Sequence, residues 1–173
     1  MTATTGFGSE VRSLTTAELR TVLAQEAREA RRLTAALGCD TDERGGIRIR
    51  HEHGYDVWLL RWPPGTRVTP HDHGDSSGAF LVLDGDLIEL RWQDSIPECR
   101  LVSSGETVLV ERGVVHDVVA TNRVAYSIHA YSPPLEAMSF YQVPFPTADT
   151  GGSPDAWRAA PLGTESVSAL IGD

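Results

Sequence analysis

The stretch GTRVTPHDHGDSSGAFLVLDG, residues 65–85, decides how this chain is read. His71 and His73 stand one residue apart in it, framed by Gly65, Gly78 and Gly85. A second stretch, GETVLVERGVVH at residues 105–116, ends in His116. Side chains on a strand alternate between two faces, so a His-x-His pair on a strand puts both imidazoles on one side. The residues between the two stretches read as short strands and turns, so a β-fold can bring His116 to the pair. Three neutral imidazoles on one face make a divalent metal site with open positions, which suits chemistry more than structural support.

Working outward, short β-runs punctuated by Gly, Pro and Asp begin near residue 47. Strands are expected at 47–51, 55–62, 79–83, 86–92, 107–110, 114–120 and 124–131, with tight turns at DGD (84–86) and VERG (110–113). Many short strands of this kind argue for a mainly β single domain, a sandwich or a jelly-roll barrel. Before them, Thr15 and Glu18 form a capping-box pattern, and Leu19, Val22, Leu23, Ala27, Ala30 and Leu33 follow at helical spacing. One helix is expected over 15–37, packed on the outside of a domain spanning 14–145. Residues 1–13 read as a flexible arm and 146–173 as an irregular surface tail, with a short helix near 164–171.

At 173 residues with a net charge of −9, the chain is an ordinary globular length and a poor ligand for nucleic acid or an anionic membrane. It has no apolar run long enough to span a bilayer, and its first residues show no signal-peptide pattern. Cys39 and Cys99 do not make a disulfide framework and read as thiols in a reducing cytoplasm. A second His-x-His, His51 and His53, lacks the glycine frame and reads as polar residues facing water, with a place at the cavity mouth as the alternative. Nothing indicates more than a monomer or a weak homo-oligomer.

The two glycine-framed stretches resemble the paired motifs of the cupin family almost position for position. One departure matters. Metal-binding cupins usually carry a Glu ligand four residues after the second histidine of that pair, and here Gly78 falls in the first motif beyond His73, where no carboxylate stands. That leaves a neutral three-histidine face and space for an anionic ligand such as a substrate thiolate. Thiolate with imidazole suits iron(II). Zinc would also bind, but it does not activate oxygen.

In SIHAYSPP, residues 127–134, Ser127, His129 and Tyr131 alternate onto one face. The alternation could simply face water, but Ile128 and Ala130 would then be the inward residues, so an inward polar triad is the preferred reading. With HDHGDSSGAF (71–80) and the His116 motif, this segment resembles the cysteine dioxygenase family of thiol dioxygenases over roughly residues 45–140. The resemblance implies one Fe(2+) per chain on His71, His73 and His116. It implies an outer triad of Ser127, His129 and Tyr131, pocket walls at Leu60 and Trp62, and an arginine on an early strand for the substrate carboxylate. Arg48 and Arg50 are the candidates for that arginine, with Arg48 preferred. Gly78, where animal enzymes have a cysteine crosslinked to the triad tyrosine, leaves Tyr131 unmodified, and Met138 either lines the pocket near Gly78 or serves packing alone. Ser132-Pro133 matches a site where the family can have a cis peptide. The implied reaction places both atoms of O2 on a small thiol's sulfur, with L-cysteine as first substrate and 3-mercaptopropionate or another small carboxylated thiol as alternative. A non-oxygenase cupin isomerase or decarboxylase and a thiol or metal sensor are the competing readings.

Overall fold

The computed structural model describes residues 12–37, 42–92 and 97–142, together with the backbone of Ala160–Ser166. Helix α1 spans Thr16–Leu33 and runs on into a 3-10 turn at Thr34–Leu37. Its start is set by the capping box: the Thr15 hydroxyl accepts from the Glu18 amide, and the Glu18 carboxylate accepts from the Thr15 amide at 2.8 Å. Two amides that an isolated helix end would leave unsatisfied are thereby paired.

Eleven strands follow: β1 (Gly45–Glu52), β2 (Tyr55–Trp62), β3 (His71–Asp72), β4 (Ser77–Asp84), β5 (Asp86–Trp92), β6 (Pro97–Ser103), β7 (Thr107–Val110), β8 (Val115–Ala120), β9 (Ala125–Ser132), β10 (Ala137–Gln142) and β11 (Ala160–Ser166). They form a five-stranded sheet in the order β1-β2-β9-β4-β7 and a six-stranded sheet in the order β11-β10-β3-β8-β5-β6. Every pairing between these strands is antiparallel.

The five-stranded sheet is buried on both faces, which its sequence shows once the period of two is followed. Val57, Leu59, Ala79, Leu81, Ile128 and Ala130 point to one side and meet Leu19, Val22, Leu23 and Ala30 of α1. Trp62, Phe80, Val82 and Tyr131 point to the other and meet Leu87, Val102, Val118 and Phe140 of the second sheet. The helix therefore seals the outside of the sheet, and the interior between the two sheets is left for the chemistry. Ile128 and Ala130 are buried as well as the polar triad on the opposite face, because β9 is the central strand of a sheet covered on both sides.

All seven expected strands are present. β3, β6 and β10 were not expected: β3 is two residues long, and β6, with the sequence PECRLVS, is a polar edge strand. The expected irregular tail needs correction at 160–166. This segment is an edge strand, β11, paired with β10, where a loop and the start of a short helix were expected. The free edge of β10 offers main-chain hydrogen bonds, which outweigh the weak helical preference of a short polar segment. Most of the 1–13 arm and the rest of the tail lie outside the described residues.

Gly85 shows why the motif needs glycine. Its φ is +77°, and a Cβ there would lie 2.7 Å from the Val124 carbonyl oxygen and 2.8 Å from Ala125. The β4–β5 turn passes against the start of β9, with no room for a side chain. Gly85→Ala is expected to lower stability by more than the roughly 1–2 kcal/mol that a left-handed L-residue costs, because the clash adds to it. Urea unfolding of the two proteins measures this.

Candidate metal centre

His71 on β3 and His116 on β8 are direct partners across the antiparallel ladder. His73 follows two residues later, where a turn brings it back to the same side. Asp72, between the two, faces the other way and braces that turn: it accepts from the Gly74 amide at 2.9 Å and from the Tyr141 hydroxyl at 2.5 Å. The three imidazole rings pack with centroids 5.2, 4.7 and 5.0 Å apart, and one nitrogen from each lies within 4.8 Å of the others. All three are buried.

The nitrogens are sorted by their hydrogen bonds. His71 Nδ1 lies 2.9 Å from the Thr69 carbonyl and must donate to it, which leaves Nε2 as a lone pair. His116 Nδ1 lies 3.1 Å from Glu89 Oε1, with the same consequence. His73 Nδ1 has no partner, and its Nε2 stands 3.2 Å from His116 Nε2. Burial first, then the neighbouring imidazoles, holds the pKa of His71 and His73 well below the ordinary value, so both are neutral. Buried, neutral nitrogen lone pairs converging on one point repel one another unless a cation lies among them. The donor set fits a divalent first-row metal.

The opposite wall is Ser127, His129 and Tyr131 on β9, with Trp62 as the donor at its far end. An indole N–H can only donate, and Trp62 Nε1 donates to Ser127 Oγ at 2.8 Å. The Ser127 hydroxyl is then free to donate to His129 Nε2, also at 2.8 Å. Neutral His129 carries its proton on Nδ1, which faces the Tyr131 oxygen at 3.3 Å. Tyr131 accepts there, and its own O–H is left to point elsewhere. Burial pulls the His129 pKa down to about 3, with the fields of His116 and Arg44 adding to the effect. Burial, then Asp56, pushes the Tyr131 phenol up, so it stays a protonated donor.

Between these walls lies a cavity of about 50 Å³. Its lining includes Trp58, Leu60, Trp62, Leu135, Met138 and Arg44, together with His71, His116, His129 and Tyr131. A water needs about 10–15 Å³, so the space suits a molecule of a few heavy atoms. Leu60, Trp62 and Met138, the expected wall residues, are in this lining, and the nearest neighbours of Gly78 do not include Met138. Gly78 is not part of the lining. It lies behind the site, where a Cβ would come within 3.1 Å of His73 Nδ1 and 3.2 Å of Tyr131 Cδ1. The room gained by lacking a side chain is used by those two rings, which meet edge to face at 4.8 Å.

Arg48 and Arg50 do not reach the cavity. A β-bulge between them breaks the alternation that would put them on one face. Arg48 stacks on the Trp58 ring from outside at 5.3 Å, and Arg50 pairs with Glu26 of α1 at 2.8 Å. The guanidinium that lines the cavity is Arg44, just before β1, lying 5.4 Å over the Trp62 ring. Burial lowers its pKa, and Tyr131 and Asp117 oppose that shift. DERGG, residues 42–46, reads as a turn, and nothing in its pattern points inward. Asp56 was also missed: it is fully buried and holds two walls of the cavity, accepting from Trp58 Nε1 at 2.9 Å and the Leu135 amide at 3.4 Å. His51 and His53 are exposed, Cys99 is an exposed free thiol, and Cys39 lies outside the described residues. Ser132-Pro133 is cis.

Two packed antiparallel sheets with a three-histidine site between them define a cupin. Among solved structures, the chain is similar to a cupin superfamily protein of Desulfitobacterium hafniense DCB-2 (9% identity, TM-score 0.50, covering 58% of this chain and 86% of that one). It is similar also to a double-stranded β-helix protein of Klebsiella pneumoniae (13% identity, TM-score 0.50, covering 58% and 86%). These likenesses concern the fold. The family model described as Cysteine dioxygenase type I matches residues 11–143, and the chain belongs to that family. Cysteine dioxygenase type 1 of Danio rerio is 30% identical over 95 residues, 48% of this chain. The aligned part is 47% of that relative, so the chain spans about half the length of the curated protein it matches.

Removing the Ser127 hydroxyl should strand two buried partners at once, Trp62 Nε1 and His129 Nε2. Ser127→Ala is expected to cost about 1–3 kcal/mol of stability, read from urea denaturation.

Proposed function

We propose that this chain is a non-haem iron(II) thiol dioxygenase, and that it oxidises L-cysteine with O2 to cysteine sulfinic acid. The observation that carries the reading is the pairing, in a family member, of three convergent buried imidazoles with a small cavity lined by a guanidinium and a phenol hydroxyl. Held by His71, His73 and His116, iron(II) would supply the redox chemistry that joins O2 to sulfur. The reaction balances without a further reductant: the thiol and O2 together make the sulfinic acid, the sulfur giving up four electrons and the two oxygen atoms taking them. This agrees with a chain in which no nucleotide-binding motif is found.

The chain's own residues would do the following. Arg44 would hold the substrate carboxylate by charge-assisted hydrogen bonds, taking the role first expected of Arg48 or Arg50. Leu60, Trp58, Leu135 and Met138 would exclude water around the carbon chain. Tyr131 would donate its hydroxyl to the substrate or to developing oxygen charge, with Ser127 and His129 fixing its direction.

A second reading is favoured by one observation. No carboxylate lines the cavity among the described residues, so a substrate ammonium would find no counter-charge there. A thiol with a carboxylate and no amine, such as 3-mercaptopropionate, would lose nothing by this. For L-cysteine the amine would have to be neutral and to serve as a ligand to the metal. We also place the protein in the cytoplasm on the strength of its free, exposed Cys99, and the net charge of −9 supports a protein without nucleic-acid partners.

The deciding experiment is oxygen consumption by iron(II)-loaded protein offered each thiol separately, with sulfinate quantified. One O2 per sulfinate is expected, and the better substrate chooses between the two readings. No consumption with either thiol in iron-loaded protein would reject both and favour a non-oxygenase role for the site. Arg44→Met is expected to raise KM for a carboxylated thiol by roughly ten- to hundredfold, the equivalent of about 1.5–3 kcal/mol, whereas Arg48→Ala should leave it near wild type. Equal KM values in wild type and the Arg44 variant would mean that the carboxylate is held elsewhere. Tyr131→Phe should keep metal and lower turnover by about two- to tenfold, measured as sulfinate formed per O2 and per second.

A further inference from the structure

Strand β5 carries a buried charge that the reaction as described above does not use. Its inward face is Leu87, Glu89 and Arg91, and Glu89 is 3% exposed. In the ladder with β8, Arg91 stands directly opposite His116 and Glu89 opposite Val118, so the carboxylate is the diagonal neighbour of the imidazole. Glu89 Oε1 lies 3.1 Å from His116 Nδ1 and 2.9 Å from Arg91 Nη2. Arg91 Nη2 also donates to the Leu109 carbonyl of β7, in the other sheet, at 2.7 Å. The carboxylate is thus pinned from two sides by groups that are themselves fixed.

The three imidazoles are backed unequally. His116 Nδ1 meets an anion, His71 Nδ1 meets a neutral carbonyl, and His73 Nδ1 meets no hydrogen-bond partner. Among the described residues, no carboxylate belongs to the metal-facing cluster itself. A negative charge is nevertheless present, one imidazole behind it. An acceptor-only carboxylate forces the His116 proton onto Nδ1 and directs the Nε2 lone pair at the cluster. It also strengthens that nitrogen as a donor.

We infer that Glu89, braced by Arg91, is a positioning residue for the metal: it sets the tautomer and orientation of His116 and supplies through it the carboxylate charge that the direct ligands lack. The inference rests on the reading of His71, His73 and His116 as metal ligands.

The test is metal binding itself, without turnover. Full-length wild type, Glu89→Gln and Glu89→Ala are titrated anaerobically with Fe2+ and, separately, with Co2+, whose visible spectrum reports the ligand field. Circular dichroism shows which variants are folded. Glu89→Ala is expected to bind either ion about 10- to 100-fold more weakly than wild type. Glu89→Gln keeps an acceptor for Nδ1 and loses the charge, so it should bind with a smaller loss and a shifted Co2+ spectrum. Glu106→Gln, at an exposed carboxylate on the surface, should match wild type. If Glu89→Ala does not fold, the isosteric Gln variant decides alone. Folded Glu89 variants with wild-type affinity and an unshifted spectrum would overturn the inference while leaving the ligand reading intact. Wild type that takes up neither ion stoichiometrically would overturn both.

Discussion

Three imidazoles buried within 4.8 Å of one another are the constraint around which this protein is arranged. As protonated groups they would repel in a low-dielectric interior, and as neutral groups with badly placed protons they would not converge on a cation. The fold meets both demands through position. Pairing of β3 with β8 sets His71 against His116, the Asp72-braced turn returns His73, and burial keeps His71 and His73 neutral. Gly78 belongs to the same arrangement. It sits in β4 of the opposite sheet, and its missing side chain lets that sheet approach His73 closely enough for Tyr131 to meet the ring edge to face.

On the facing wall the demand is directional. Ser127, His129 and Tyr131 can each donate and accept, so three such groups in a row have two self-consistent proton arrangements. Trp62 biases the choice, because its indole can only donate: it occupies a lone pair of Ser127 and leaves the serine proton for His129. In that arrangement the chain runs from Trp62 to Ser127 to His129 to Tyr131, and the phenol proton is the one left over for the cavity. A hydrophobic residue in name is in effect the terminus of a polar network, and Arg44 stacked on its ring places the cavity's cation beside it.

The fold was legible wherever the period of two was clean. The strands and the three histidines could be read from the alternation and from the glycine frame, and helix α1 from its cap and its apolar stripe. What was not legible had local causes. The bulge in β1 shifted Arg50 onto the helix side, and no sequence signal marks it. In DLIELRW, residues 86–92, Ile88, Leu90 and Trp92 suggest one buried face and Glu89 and Arg91 an exposed one, yet Glu89 is inside. A charged residue can be buried there because two partners satisfy it: burial pushes its carboxyl up, and His116 and Arg91 outweigh that and hold it below its ordinary value. His116 comes from another strand and leaves no trace in the pattern of β5. The Leu135 amide that bonds Asp56 likewise comes from elsewhere in the chain.

The cavity's composition limits what can be bound. With room for only a few heavy atoms and walls of Trp58, Leu60, Leu135 and Met138, it gives a ligand little besides exclusion of water. Specificity must then come from a few polar points: Arg44 at one end, the Tyr131 hydroxyl at the side and the histidine cluster at the other end. A guanidinium in such surroundings offers an anion charge-assisted hydrogen bonds that a neutral ligand cannot match. The converse would apply to a ligand's positive charge, which would face Arg44 and, on the proposed function, a metal cation, with no carboxylate in the cavity wall among the described residues. On the proposed function, a ligand that enters would be selected for negative charge at both ends, a carboxylate for the arginine and a thiolate for the metal, with no net cation between them.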